Sequence, residues 1–232
     1  MKNILHCPCF LMLLLFLIFN GAVYGQNNAP DYKADRQMKA GNINIRLLEK
    51  TVVYYTNKAR IKRGILPCTE DIVLIKSARA HSSEMAGMNY FSHTSPVKGS
   101  ETLAQRLEHA GVILKNIYIG ENLGVDFILN ISGIDFYKKK KDGKTVYYNG
   151  RNNSVIISQT YRQFAESMVR HWLNSPHHRK NLLNKKFTNI GVGIAKGVYN
   201  DLDALYVTQN FTGKIKHYQR IDEREASRWY KE

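Results

Sequence analysis

The sequence predicts an α/β protein in which helices pack in layers against a sheet that is largely antiparallel. In four separate segments, apolar residues recur at three- and four-residue steps, which is typical of helices that bury one side. Two strand-like segments, residues 189–194 and 205–211, follow one another late in the chain. Of the 232 residues, the 207 that follow the first 25 are enough for one well-packed domain.

The first 25 residues have the order of regions that a secretory signal peptide requires. Lys2 is their only charged side chain, residues 10–19 form an apolar run, and small residues precede Gln26. The run is about half of the roughly 20 residues that span a bilayer, so we expect cleavage and no stable transmembrane segment afterwards. Residues 26–43 are polar and predict a loose leader. The protein is therefore expected to be secreted, to the periplasm or the cell surface.

Cysteine content and charge limit the function classes further. Cys7 and Cys9 lie in the signal peptide, so only Cys68 remains and no internal disulfide can form. The net charge is +15 for the whole chain and +14 once Lys2 has been removed. This charge favours an anionic partner, such as an envelope component or lipid, although solubility explains it equally well. We expect no specific recognition of nucleic acid.

The first two helices follow from apolar spacing and from residues that end helices. The first is predicted from Asn44 to Arg63, with Gly64 as its stop. The second is predicted to start at Thr69 as N-cap and to end near Met88. One side of this second helix carries Leu74, Ala78, His81 and Met85.

The middle of the chain alternates between helices and polar segments. A third helix is predicted over residues 101–110, before a stretch at 112–124 that leads into a long polar segment. Within that segment, residues 136–148 predict two short strands around the turn at Asp142-Gly143. A fourth helix over residues 160–173 buries Phe164, Met168 and Trp172 and ends at Ser175-Pro176.

Five short motifs stand in a fixed order along the chain. They are Ala80-His-Ser-Ser-Glu-Met85, Asn89-Tyr-Phe-Ser-His-Thr-Ser-Pro96, Gly120-Glu-Asn-Leu123, Trp172-Leu-Asn-Ser-Pro-His-His-Arg-Lys-Asn-Leu-Leu183, and Asn189-Ile-Gly-Val-Gly-Ile194 with Tyr206-Val-Thr-Gln209. Together they resemble the CAP superfamily of SCP-like extracellular proteins, which includes cysteine-rich secretory, antigen 5 and pathogenesis-related 1 proteins. The bacterial branch is most similar, through FSHTSP, GEN and SPxHRxNxL.

The resemblance covers residues 44–213, interrupted by an insertion at about 124–159 and followed by a charged tail at 214–232. It implies a three-layer α-β-α sandwich with a mainly antiparallel central sheet. It also implies secretion and a central cleft that carries histidine and glutamate side chains.

Five residues are assigned to this cleft by the resemblance and by their place in the motifs. They are His93, Glu121, His178, Tyr206 and Gln209. His93, Glu121 and His178 form an acceptable set of ligands for Zn²⁺ or another divalent metal, with one position left open. Without metal, the same groups could act as general acid and base, or simply hydrogen-bond one another and join three loops. Ser175 and Tyr206 stand where the eukaryotic pattern has a second glutamate and a second histidine.

Three further features have competing interpretations. His81 and Glu84 share a side of the second helix without the spacing of a metalloprotease motif, which favours an ordinary helix pair. Cys68 could be a reactive thiol at a helix start, but a small buried side chain is favoured. Lys138–Lys141, with Tyr137, Tyr147 and Tyr148 nearby, could stack on bases, lie at a lipid interface, or keep a hairpin soluble.

The leading functional hypothesis is a binding or scaffold module at the cell envelope. A metal-assisted hydrolase or protease is the alternative, and it would need a metal-bound water because no assured nucleophile is present. Lipid or sterol binding is a second alternative that the resemblance implies.

Overall fold

A four-stranded sheet lies between two layers of helices in the computed structural model, which describes residues 32–215. The helices are α1 (Ile45–Ile61), α2 (Ile72–Met88), α3 (Leu103–Ala110), α4 (Tyr161–Asn174) and α5 (Pro176–Leu182). The strands of the main sheet are β1 (Thr69–Glu70), β2 (Ile117–Phe127), β5 (Asn189–Tyr199) and β6 (Leu202–Lys214). Their order is β1-β5-β6-β2, and only β1 with β5 is parallel, so the predicted fold class is confirmed.

The central strand β6 shows why helices cover both sides of the sheet. Val207 and Phe211 belong to the main core with Trp172 of α4. The alternate residue Thr208 faces the other way and accepts a hydrogen bond from Ser82 of α2, 2.8 Å apart. Because side chains alternate across a strand, α1 and α4 cover one side of the sheet and α2 covers the other.

Gly191 and Gly193 of β5 let α2 approach the strand more closely than any other residue type at these two positions would allow. A Cβ on Gly191 would lie 2.3 Å from the carbonyl carbon of Leu74, and one on Gly193 would lie 2.1 Å from the backbone nitrogen of Arg79. The helix backbone therefore rests directly on the sheet. This close packing sets the distance between α2, with the side chains that it carries, and the sheet.

Strand β2 corrects the expectation that residues 112–124 only lead into a polar segment. It pairs with β6 along its whole length, from Ile117 with Lys214 to Phe127 with Ala204. Its sequence lacks a clear apolar alternation because polar residues such as Glu121 and Asn122 are buried and hydrogen-bonded to other elements. Glu121 thus lies on a strand and not in a short loop.

The start of α2 differs from the sequence expectation, and a helix that the sequence did not predict follows α4. Asp71, and not Thr69, caps α2, because its side chain accepts from the backbone N–H groups of Val73 and Leu74. After α4, Pro176 occupies the first turn of a new helix, α5, where its missing N–H has no partner to lose.

The segment expected to be a loose leader is attached to the core within the described residues. A short 3-10 helix at Tyr32–Asp35 and the residues after it bury Ala34 and Met38 against the main core. The predicted signal peptide and nearly all of the charged tail lie outside the described residues.

The insertion contains the predicted hairpin, with β3 at Phe136–Lys141 and β4 at Lys144–Asn149 around Asp142-Gly143. Both turn residues have positive φ, which Asp and Gly tolerate. Among residues 32–215, none of the helices has the length and apolar character needed to span a bilayer.

Replacing Gly193 with alanine tests the close packing of α2. We expect a loss of about 3 kcal/mol or more in the free energy of unfolding, because the added methyl group meets backbone that cannot move alone. Urea unfolding followed by circular dichroism measures this change. Gly87→Ala is the matched control: Gly87 is an exposed glycine within α2 with nothing within 4 Å of its Cβ position, so the variant should be as stable as the parent or slightly more stable. Equal stability of both variants would contradict the packing described.

Candidate functional site

A buried ion pair between Glu121 and Arg106 lies at the centre of the site. Nη2 of Arg106, from α3, donates to both oxygens of Glu121, at 3.0 and 2.9 Å. Each side chain is only 4% exposed. Two charges removed from water to this degree are stable only when they neutralise each other and are well hydrogen-bonded.

Arg106 also holds the chain that precedes α3. Its Nη1 donates to the carbonyl oxygens of Ser100 and Glu101, at 3.1 and 3.2 Å. Thr102 caps α3, and its side chain and that of Gln105 form a reciprocal capping box. One guanidinium group therefore joins α3 and its entry loop to strand β2.

His93 completes the hydrogen bonding of Glu121. Its Nδ1 lies 2.8 Å from Oε1 of Glu121, while its side chain is 57% exposed. Burial acts to raise the pKa of Glu121, but the hydrogen bond from His93 and the charge of Arg106 outweigh burial and leave the pKa below its ordinary value. An ionised carboxylate only accepts hydrogen bonds, so Nδ1 carries the proton and Nε2 of His93 is left for a ligand.

The loop that carries His93 is attached to α2 by side chains that the sequence did not mark as part of the site. Nε2 of His81 lies 3.1 Å from the carbonyl oxygen of Ser92, and Glu84 accepts from the hydroxyl groups of Tyr90 and Ser95. His81 and Glu84 share a side of α2 as the sequence predicts, and these bonds also make them positioning residues for the loop.

His81 holds this loop as a neutral imidazole. It is fully buried, and that burial lowers its pKa despite the opposing charge of Glu121. A neutral ring that meets a carbonyl oxygen through Nε2 must carry its proton there. Its other nitrogen, Nδ1, has no hydrogen-bond partner among the described residues and lies 4.0 Å from Oε1 of Glu84.

His178 lies at the start of α5, within the range over which the charge of His93 affects it. Burial and then the charges of His93 and His177 lower the pKa of His178, so its ring is neutral at pH 7. Helix α5 is attached to β2, because Asn181 donates to the backbone oxygen of Glu121 and to the side chain of Asn122, at 2.9 and 3.1 Å. The fold therefore places His93, Glu121 and His178 at the edge of the sheet that β2 forms.

Gln209 and Tyr206 do not join that group. Gln209 faces the opposite side of the sheet, where it donates to Thr56 of α1 and accepts from Asn122, at 2.9 and 3.1 Å. Successive side chains on a strand point to opposite sides of the sheet. Glu121 pairs with Asn210 and shares its side, so Gln209, the residue before Asn210, points the other way.

Tyr206 shares a sheet side with Glu121 but lies too far along the strand to meet it. It pairs with Val125, which is four residues, or about 13 Å, beyond Glu121. Its ring is buried with Met85 and Leu123, and its hydroxyl group donates to the carbonyl oxygen of Val198, 2.9 Å away. Its role in the structure is to pack the core.

The predicted zinc set does not fit a divalent cation in this arrangement. Both oxygens of Glu121 already accept from Arg106, and a cation there would face the guanidinium charge. Within residues 32–215, no three side chains of the His, Cys, Asp or Glu type are placed to hold one metal ion. We therefore assign no chemical step to a metal, and zinc binding stays a prediction.

Cys68 is a packed core residue, as favoured by the sequence. It is buried beside the carbonyl oxygen of Phe187, 3.5 Å from its Sγ, and burial raises the pKa of the thiol to about 11. A thiol with this pKa carries almost no thiolate at neutral pH, so the nucleophile interpretation is disfavoured.

Arg106 was the residue most clearly missed from the sequence. It belongs to no recognised motif, and its only signal is its position beside Leu107 on the buried side of a short helix. A charged residue at such a position requires a buried partner, and Glu121 is the acidic residue of the nearby GEN motif.

Replacing Arg106 with methionine tests the ion pair. We expect the free energy of unfolding to fall by about 3–5 kcal/mol, because Glu121 stays buried without its partner. The loss should shrink as the pH falls through the depressed pKa of Glu121, where the parent also loses the pair.

Lys196→Met provides the matched control, because Lys196 and Asp203 form an exposed pair 3.4 Å apart and its loss should change stability by less than about 1 kcal/mol. Chemical unfolding of both variants at neutral and acidic pH measures these differences. Equal effects of the two substitutions would rule out a central role for the buried pair.

Comparison with known proteins identifies relatives of most of the chain by sequence. A sequence model of the cysteine-rich secretory protein family, CAP, matches residues 53–211. The uncharacterized protein YkwD of Bacillus subtilis is 35% identical over 166 residues, which are 72% of this chain and 47% of that protein. The uncharacterized membrane protein YlbC of the same species is 31% identical over 163 residues, covering 70% of this chain and 34% of YlbC. The chain thus spans less than half the length of either relative.

Two solved structures also align with this fold. An extracellular protein with an SCP domain from Bacillus anthracis is 29% identical, with a TM-score of 0.46, over 72% of this chain and 40% of that one. An outer surface protein from Borrelia burgdorferi is 18% identical, with a TM-score of 0.47, over 74% of this chain and 96% of that one. Because the family match covers most of the chain and includes all of the short motifs, the protein belongs to the cysteine-rich secretory protein family, CAP.

Proposed function

We propose that the protein is a binding module of the cell envelope that recognises a polar or anionic envelope component at the site formed by His93, Glu121 and His178. The observation that carries this proposal is the complete engagement of Glu121 by Arg106 and His93. Because both oxygens of this buried carboxylate already accept hydrogen bonds, the groups offered to a ligand are the imidazole edges of His93 and His178.

The chemistry of these two rings suits hydrogen bonding to hydroxyl, amide or acidic groups. His178 is neutral at pH 7 because burial lowers its pKa, so it can both donate and accept. His93 is held by Glu121 and presents Nε2 as an acceptor, or as a second donor once the ring is protonated. Groups of this type occur throughout cell-wall polymers.

A location outside the cytoplasm is part of this proposal. The charged start, the apolar run at residues 10–19 and the small residues before Gln26 support secretion to the periplasm or the cell surface. The +15 net charge of the chain supports an anionic partner there.

A hydrolase or protease is the second candidate, and one observation favours it. A carboxylate behind a histidine orients the ring and stabilises its protonated form, which is an arrangement that general bases use. The reaction would need a nucleophile or an activated water in front of Nε2 of His93.

Lipid or sterol binding stays a prediction. A groove of about 550 Å³ between α1 and α4 has Val169 and Leu173 in its lining, with Lys58, Lys62 and Arg170 also present. This groove is the place on the described fold where that alternative should be tested.

Retention on isolated envelope material at moderate salt tests the proposed function. We expect the parent protein to be retained and His93→Gln and His178→Gln to bind roughly fivefold more weakly each, which is the effect of one lost hydrogen bond. His171→Gln is the control, because it removes an exposed histidine from α4 and should leave retention unchanged. Equal retention of all four proteins would contradict a role for the cleft.

Zinc content separates the two candidate functions. Native protein in the binding role should contain far less than one zinc per chain, since Arg106 occupies Glu121. Metal at near one per chain, lost in both His93→Ala and His178→Ala, would favour the metal-assisted enzyme.

A further inference from the structure

The insertion forms a small sheet of its own with two distinct sides. Strands β3 and β4 pair from Phe136 with Asn149 to Lys141 with Lys144. Residues 154–158 run beside β4, with the N–H of Ile156 donating to the carbonyl oxygen of Tyr147 over 2.8 Å. Tyr148 and Val155 lie directly opposite each other, so their side chains share a side of this sheet.

The inner side of this small sheet faces the body of the protein. Tyr147 and Ile156 line a cavity of about 280 Å³ together with Ile128 and Leu202. Residues next to these on each strand must therefore face away from the body. Val155 and Ile157 are such residues, and they are 54% and 56% exposed.

Two tyrosines and a lysine form the middle of this outer side. The rings of Tyr137 and Tyr148 stack with centroids 5.3 Å apart and planes 12° from parallel. The Nζ atom of Lys139 lies 5.2 Å from the Tyr137 centroid and 5.9 Å from that of Tyr148. A hydrogen bond holds Tyr137 in place, because its hydroxyl group donates to the side chain of Asn153, 2.9 Å away.

Basic residues dominate the charge of the insertion. Residues 130–158 contain six basic and two acidic side chains. Lys141 and Lys144 are directly paired beside the turn and share the outer side with Lys139, because each lies an even number of residues from Tyr137 or Tyr148. The outer side therefore combines exposed aliphatic groups, amphipathic tyrosines and at least three lysines.

We propose that this outer side is a docking surface for an anionic lipid bilayer. Charge complementarity supports this partner, because lysines near a membrane surface are each attracted by anionic head groups. Val155 and Ile157 can enter the boundary between head groups and acyl chains, while the tyrosines lie at the level of the head groups. The docking surface lies beyond the Phe127 end of β2, about 20 Å along the strand from Glu121, so it is separate from the proposed cleft.

Nucleic acid fits this surface less well than lipid does. Binding of single strands depends on aromatic rings whose flat sides are free to stack on bases. In the stacked pair, Tyr137 and Tyr148 each cover one flat side of the other, and Nζ of Lys139 lies 5.2 and 5.9 Å from the two centroids. The exposed aliphatic side chains of Val155 and Ile157 would also contribute nothing to the binding of a phosphate backbone.

Co-sedimentation with lipid vesicles tests this proposal. The protein is used in the form in which its host secretes it. The vesicles contain phosphatidylcholine alone, or phosphatidylcholine with phosphatidylglycerol as about a third of the lipid. We expect binding to the anionic vesicles only, weakened by salt. Replacing Lys139, Lys141 and Lys144 together with glutamine should lower the partition coefficient roughly 100-fold, and Val155→Ser with Ile157→Ser should remove the part of the binding that persists at high salt.

Matched controls keep the result specific to this surface. Replacing the exposed Lys115, Lys180 and Lys185 with glutamine removes the same charge elsewhere, and Ile113→Ser removes an exposed aliphatic side chain elsewhere; both should leave most of the binding intact. The cleft variant His93→Gln should bind vesicles like the parent, so a failed cleft and a failed docking surface give different results.

Three outcomes would overturn the proposal. These are equal binding to neutral and anionic vesicles, equal losses in the two lysine variants, and binding of a single-stranded oligonucleotide that depends on the same lysines without any binding to vesicles. Circular dichroism of every variant confirms that the fold is intact before binding is compared.

Discussion

The buried ion pair between Arg106 and Glu121 is the interaction on which the candidate site depends. It joins a short helix, its entry loop and the edge strand of the sheet through one guanidinium group. It also keeps Glu121 ionised in a place where burial alone would favour the neutral acid. An ionised carboxylate can hold His93 in one orientation, and that orientation gives the site its exposed, hydrogen-bonding ring.

The rest of the fold positions the residues around this ion pair. Gly191 and Gly193 allow α2 to rest on the backbone of β5. From that position His81 and Glu84 hold the loop that carries His93. On the other side of β2, Asn181 and Asn122 attach α5 and so place His178. Polar side chains behind the site thus determine where the ligand-facing rings lie.

Helices α1 to α4 and the final pair of strands could be predicted from the sequence because their apolar spacing reflects burial directly. Strand β2 could not, since its buried residues include Glu121 and Asn122, whose partners lie far away along the chain. The resemblance to known proteins supplied His93 and Glu121, but it could not show that Gln209 points to the opposite side of the sheet. The role of Arg106 could not be predicted for a similar reason, because it depends on a contact between α3 and β2.

The tautomer of the neutral His93 ring tests the central claim most directly. Nitrogen-15 spectra of the histidine rings distinguish which ring nitrogen carries the proton. For neutral His93 we expect the proton on Nδ1 and a bare Nε2, because Glu121 can only accept. A neutral ring protonated on Nε2 would contradict the claim, since Nδ1 would then have no proton to share with Glu121.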